Sequence, residues 1–433
     1  MANVTRTLLW AALLVAVFVG DAASAADDEL LSAVVVSRHG VRSPTATQPP
    51  LATIAADPWP SWSVPPGYLT QRGAELARLL GGYYRESYVA QGLLPAQGCP
   101  RPGDVFAWAD VDQRTRATAE ALLKGMFPDC GLTPGHRTDA KIDPLFHPTR
   151  AGTCRIDPAQ AREAVLDRVG GNFTIITAAH RSELAAMQSV LKCCAPAVCR
   201  ASGATAPCTL GELSNAIAGS HDRVRLAGPI AIGSTASEVF LLEYAQGLPE
   251  NQVAWGRAST PQAMRPLWRL HTLQFDLMQR TPYLAARQGS ALVQRILATM
   301  RRSINGRADV SQPAGAKLTL LVGHDTNLAN IGGMLGIHWS LPSYLPDQTP
   351  PAGALHFELL RSRQTGIHGV RVRFISQTPE QMRWTAPLDR AHPPEQTIAS
   401  IEGCATSAGG TCPWTAFEAL ARKAIDHACA GKE

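Results

Sequence analysis

The 433-residue chain is 45% hydrophobic and only 17% charged, a balance that excludes a disordered polymer. Its net charge of +5 comes from 40 basic and 35 acidic residues with no Lys/Arg block, which argues against a nucleic-acid surface. Ten cysteines, none in C-x-x-C or paired Cys/His spacing, point to disulfides in an oxidising compartment and away from a zinc knuckle.

Residues 1–25 read as a secretory signal peptide. Arg6 supplies the positive region, residues 8–19 the apolar core, and Ala23-Ser24-Ala25 a small-residue cleavage site. That core is too short to span a membrane, and no later stretch reaches the roughly 18 apolar residues a span needs. The expectation is a periplasmic or secreted protein with no membrane association once the signal is removed. The β-branched run 32–37 predicts a strand buried on both faces, ending at Arg38-His39-Gly40. A Pro/Trp-rich loop covers 57–66, where Trp59 and Trp62 read as packing residues. Thr70 then predicts a helix N-cap before 71–80. Residues 104–109 predict a second strand, followed by Asp110 and a helix over 114–127.

From about 158 to 279 the chain becomes rich in Ala, Leu, Glu, Gln and Arg. Helices are expected at 159–169, 181–191, 234–246 and 261–279, and a Cys-rich loop at 193–207. Strand signals return at 317–323, 355–360 and 370–375, with a helix at 326–335 capped by Thr326. The pattern is an α/β domain split by a mostly helical insertion: 26–154 with 285–433, and 155–284. His180, His271 and His356 fall in helical or apolar surroundings and read as core histidines, with His271 also able to face a cleft. Asn172-Phe173-Thr174 is a glycosylation sequon, meaningful only in a eukaryotic secretory pathway.

Three predicted strands end at Ser37, Ala109 and Gly323, and each is followed at once by Arg, His or Asp. Open α/β sheets bind ligands outside the carboxyl ends of their strands. After the first comes Arg38-His39-Gly40-Val41-Arg42-Ser43-Pro44. Arginine grips phosphate oxygens in pairs, and an imidazole between two arginines can attack phosphorus to form a phosphohistidine. Gly40 is expected to give the tight turn. After the third comes His324-Asp325-Thr326-Asn327, with Asp325 a candidate general acid. After the second, one arginine of Asp110-Val111-Asp112-Gln113-Arg114-Thr115-Arg116 is placed to complete a phosphate clamp. Neighbouring arginines should lower the pKa of His39, and Asp325 must hold a proton to act as an acid, so an acidic optimum is expected. No metal-ligand cluster is evident, so no metal or other cofactor is expected.

Together these residues resemble the histidine acid phosphatase family over about residues 30–429, with bacterial periplasmic AppA-type phytases the nearest group. Stretches 57–62, 109–116, 143–148, 279–282 and 323–333 look similar to those phytases, and Thr326 is more phytase-like than the Ser of related glucose-1-phosphatases. The resemblance implies a phosphoglycerate-mutase-like α/β fold with the helical domain inserted. It implies His39 as nucleophile and Asp325 as proton donor. Arg38, Arg42, Arg114 and His324 would bind the transferred phosphate, and Thr45, Asp110, Glu238 and Thr326 would line the substrate pocket. It implies disulfides Cys99–Cys130, Cys154–Cys429, Cys199–Cys208 and Cys404–Cys412. Cys193 and Cys194 are left over as free thiols, a vicinal disulfide or partners in shuffling. The implied activity is acid phosphomonoester hydrolysis with phytate as the expected substrate, and an exported phosphatase with an open pocket is expected to act as a monomer. The alternatives are a glucose-1-phosphatase-like or broad sugar-phosphate phosphatase, or a non-catalytic phosphate-ester binding protein. Two departures bear on phytate: Ala46 stands where these phytases carry Lys, and Arg287 is offset from a pocket arginine, with Gln288 following it.

Overall fold

Ala33 and Val35 pack into one apolar core while Val34 and Val36 pack into another, because successive side chains of a strand point to opposite faces. In the computed structural model, which describes residues 28–47, 49–305, 316–407 and 409–431, this strand is β1 (Asp28–Arg38). The expected signal peptide at 1–25 lies outside the described residues. The further strands are β2 (Val105–Ala109), the hairpin β3 (Ala216–Ser220) and β4 (Arg223–Ala227), β5 (Leu318–Gly323), β6 (Ile337–His338), β7 (Ala354–Ser362), β8 (His368–Ser376), β9 (Glu395–Ile398), β10 (Ser400–Ile401) and β11 (Thr411–Pro413).

The main sheet runs β11-β8-β7-β1-β5-β2, with β9 sharing the outer edge of β8 with β11. β1, β5 and β2 are parallel, while β7 and β8 continue the sheet antiparallel. One face packs under helices Gln71–Ala90 and Gln113–Met126. The other packs under Pro282–Asn305, Asp325–Leu335 and Trp414–Ala424. The parallel centre aligns three strand ends: Arg38 pairs with Gly323, and Ala109 with Val322.

Between β2 and β5 the chain is mainly helical, with helices Pro158–Arg168, Phe173–Ala179, Arg181–Leu191, Pro229–Ala245 and Pro261–Gln279 around their own cores. Asn172 of the sequon caps one of them, its Oδ1 accepting from Thr174 N. The segment expected as a loop at 193–207 contains the helix Pro196–Ala201. Its proline sits at the first turn, where a missing N–H costs nothing. Thr326 is not a cap: His324 holds the extended N-cap conformation, and its N–H donates to Asn327 Oδ1 at 2.9 Å. The 24-residue helix Pro282–Asn305 was not expected, and the division drawn at 284/285 falls inside it.

All ten cysteines are paired. The bonds are Cys99–Cys130, Cys154–Cys429, Cys199–Cys208, Cys404–Cys412 and, between neighbours, Cys193–Cys194.

Candidate active site

The turn after β1 is pressed between the sheet and the start of helix Gln71–Ala90. A Cβ on Gly73 would lie 2.1 Å from Val41 O, so only glycine permits that approach. Gly40 does not take the left-handed conformation. Its missing side chain instead leaves room for Gly73 O, 3.0 Å from where a Cβ would stand. His39 N donates to Gly323 O and its carbonyl accepts from Ala352 N, which fixes the residue above the sheet.

His39 is buried, and its Nδ1 lies 2.9 Å from the Gly40 carbonyl. A carbonyl only accepts, so Nδ1 carries the hydrogen and Nε2 keeps the lone pair. Burial pushes the His39 pKa well below the ordinary imidazole value, and Arg114, Arg38, Arg42 and His324 push it further. The direction matches the sequence argument, but burial leads the arginines.

Arg38 is fully buried. Its guanidinium donates to Thr349 O and Glu238 Oε1 and lies 3.2 Å from Asp325 Oδ2. Glu238 reaches in from helix Pro229–Ala245 and also faces Arg42 at 3.9 Å. Arg42 is brought down to about 10 by burial, opposed by Glu238. Its backbone bridges Leu69, and Ser43 Oγ donates to Pro65 O, so the 65–69 segment closes over it.

Asp325 begins the helix after β5. Burial raises its pKa, but Arg38 and Arg42, with His324 and His271, outweigh burial and hold it at about 2. Arg114 reaches His324 Nδ1 at 3.3 Å and Asp112 Oδ2 at 2.6 Å. His324 Nε2 donates to Asp110 Oδ2 at 2.7 Å, and the His39 and His324 rings meet edge-on at 5.5 Å. Burial raises the Asp110 pKa, but bonds from His147 and His324 reverse that and leave it well below the carboxylate range. Thr45 Cγ2 and Arg114 Nη1 both border Gly67, so Thr45 lies beside Arg114. Thr326 is half-buried in the first helical turn, its N–H donating to Asp325 Oδ1. Ala46 is exposed and supplies no charge. Arg287 is engaged elsewhere, with Asp426 at 3.2 Å and Cys429 Sγ at 3.5 Å.

His147 escaped the sequence reading, whereas His271, read as a core histidine also able to face a cleft, does approach the site. His147 Nε2 approaches Asp110 Oδ2 at 3.0 Å, and its ring lies 4.8 Å from that of His324. His271 is buried, as a core histidine should be, yet its Nε2 lies 3.9 Å from Glu238 and its Nδ1 meets Ser234 Oγ at 3.1 Å. The signal for His147 was its place in Asp143-Pro144-Leu145-Phe146-His147-Pro148, a stretch already singled out. His356 is the bland case, buried against Tyr88 OH at 2.7 Å. His180 is half-buried between two helices, its Nδ1 3.9 Å from Glu183. Trp59 stacks on Phe240 in the helical core, and Trp62 packs on the α/β core.

A family model described as histidine phosphatase superfamily (branch 2) matches residues 29–375. Over 405 residues the chain is 37% identical to phytase AppA of Escherichia coli (strain K12), covering 93% of each. Over 404 residues it is 28% identical to a glucose-1-phosphatase of Salmonella typhimurium, covering 90% of this chain and 91% of that one. Among solved structures it is similar to Hafnia alvei phytase in complex with tartrate. The TM-score is 0.86 at 40% identity, over 94% of this chain and 100% of that one.

Proposed function

Because this chain belongs to the histidine phosphatase superfamily, branch 2, it is a phosphoric monoester hydrolase, and we propose that its substrate is phytate, taken up as a small molecule by a periplasmic or secreted monomer. The observation that carries the reading is the convergence of Arg38, Arg42 and Arg114 on His39, opposite Asp325. Phosphoryl transfer asks mainly for positioning and charge stabilisation, and three guanidinium groups supply both.

In this reading His39 Nε2 attacks phosphorus as the P–O ester bond breaks. The leaving alkoxide takes a proton from Asp325, and the product alcohol departs. Water then attacks the phosphohistidine, Asp325 recovers a proton, and phosphate is released. Arg38 and Arg42 hold Asp325 as an anion. A bound phosphate dianion neutralises Arg38 and Arg42, which raises the carboxyl toward protonation where it is needed. His324 and Arg114 hold the phosphate oxygens. Thr45, Asp110, Glu238 and Thr326 shape the pocket. The site belongs to the split α/β portion (26–154 and 285–433), and the insertion (155–284) contributes Glu238 to it. No helix among the described residues is long and apolar enough to cross a membrane.

A second reading, a glucose-1-phosphatase-like enzyme, draws support from the exposed Ala46 and from Arg287 being held by Asp426. Both take positive charge away from where the secondary phosphates of a hexakisphosphate would lie. Comparing kcat/KM for phytate and glucose 1-phosphate decides between them. The proposal expects phytate to be preferred, and a preference for glucose 1-phosphate reverses it. Label from [32P]-substrate trapped on His39, and its absence in His39→Ala, tests catalysis against the binding-protein alternative.

A further inference from the structure

Asp110 is completely buried, yet two imidazoles approach the same oxygen. His324 Nε2 lies 2.7 Å and His147 Nε2 3.0 Å from its Oδ2. Asp112 Oδ2 lies 3.6 Å from His324 Nε2. One donor atom each from Asp110, Asp112, His147 and His324 falls within 4.8 Å of all the others. Ligands at about 2.0–2.1 Å from a tetrahedral ion stand roughly 3.3 Å apart, so this spread needs only small side-chain rotations.

We propose that these four side chains form a binding site for a first-row divalent transition cation such as Zn2+ or Cu2+, and that its occupancy inhibits the phosphatase. Two imidazole nitrogens and two carboxylate oxygens suit ions of that softness, whereas Mg2+ and Ca2+ favour oxygen ligands in larger shells. The donors are held in place before any ion arrives. Asp110 N donates to Val322 O at 3.0 Å. The turn carrying His147 is pinned by Trp108 Nε1 to Asp143 Oδ2 at 2.8 Å. Asn327 Nδ2 donates to Phe146 O at 2.8 Å, locking that turn to the His324 segment.

The inhibition follows from the second nitrogen of His324. A cation on Nε2 moves the imidazole hydrogen to Nδ1, which then faces the Arg114 N–H now 3.3 Å away. The cation also takes Asp112, the 2.6 Å partner of Arg114. Arg114 must therefore leave, and the phosphate clamp loses an arm. The binding stands on the geometry alone. The inhibition also rests on the reading of Arg114 and His324 as phosphate ligands.

The test uses the intact, chelator-stripped protein at neutral pH, titrated with Co2+ and Zn2+ alone, beside His147→Asn and the more exposed Asp112→Asn. One equivalent of Co2+ is expected, with the intense visible absorption of a tetrahedral ion. Affinity should fall at least about tenfold in each variant. Zn2+ should slow the parent enzyme, and each variant should be less inhibited relative to its own metal-free rate. Absence of stoichiometric binding overturns the site, as does equal affinity in the parent and both variants. Stoichiometric binding with an unchanged rate overturns the inhibition while leaving the site in place.

Discussion

Asp325 Oδ2 lies 3.2 Å from Arg38, and the arginines hold its carboxyl near a pKa of about 2. The arginines therefore favour the charged form of Asp325, and on the proposed mechanism the phosphate of the ester offsets them and returns a proton to it. On the proposed mechanism, Asp325→Asn removes the proton donor but leaves His39 and the surrounding arginines. It should slow alkyl phosphates by about 10^2-fold or more, within the range of general acid catalysis. Aryl esters with good leaving groups should lose far less, and equal losses on both would remove the proton-donor role. At this scale the sequence was most informative where chemistry is contiguous, as in Arg38-His39 and His324-Asp325. The partners of those residues were less legible. His147 meets Asp110 across 37 positions and Glu238 meets Arg38 across 200, and no local period encodes either contact.

Helix Pro229–Ala245 is buried along almost its whole length and carries Glu238 to the site. One turn on it places Glu243, which is completely buried. Its Oε2 accepts from Ala254 N at 2.9 Å, and its Oε1 has no partner. Ala254 and Trp255 both hold left-handed backbone (φ 48 and 55), so this bond secures a turn that few side chains favour. Trp255 in turn packs on Trp59 and donates to Pro58 O, tying down the 57–62 loop. Burial pushes the Glu243 carboxyl from 4.5 up to about 8, against the bond from Ala254. An acid raised in the folded state contributes no penalty while both states are protonated. The cost grows as pH rises past the unfolded value and is complete above the folded one. Stability should therefore decline between about pH 4.5 and 8, by a few kcal/mol at most. Glu243→Gln should flatten that decline and raise the melting temperature at pH 7 more than at pH 4.5. Parallel melting curves against pH in the two proteins would count against it. Elements such as 261–279 were legible because apolar residues recur at helical spacing. Helix Pro196–Ala201 was not, since its short Cys-rich segment carries no such period.

Across the whole molecule, Cys154–Cys429 closes a span of 275 residues, joining the chain just before the helical region to its C-terminal end. Cys404–Cys412 closes only 8. Cross-links over longer loops remove more entropy from the unfolded chain, with typical stabilities of about 2–4 kcal/mol. Cys154→Ser with Cys429→Ser should lower the unfolding midpoint in denaturant more than Cys404→Ser with Cys412→Ser. The reverse order would show that native-state contacts dominate. With every cysteine paired, titration of the unfolded, unreduced protein should find no free thiol, whereas two would place Cys193 and Cys194 apart. By itself the sequence determined the α/β class, the three strand ends and the Arg-, His- and Asp-bearing motifs that follow them, because strand periodicity and the residues following a strand are local properties. The tertiary structure alone decided the charge on Asp325, the partner of Arg287, the pairing of Cys193 with Cys194 and the gathering of His147 with Asp110. Each depends on burial or on a distance between remote segments, and those quantities exist only once the chain has folded.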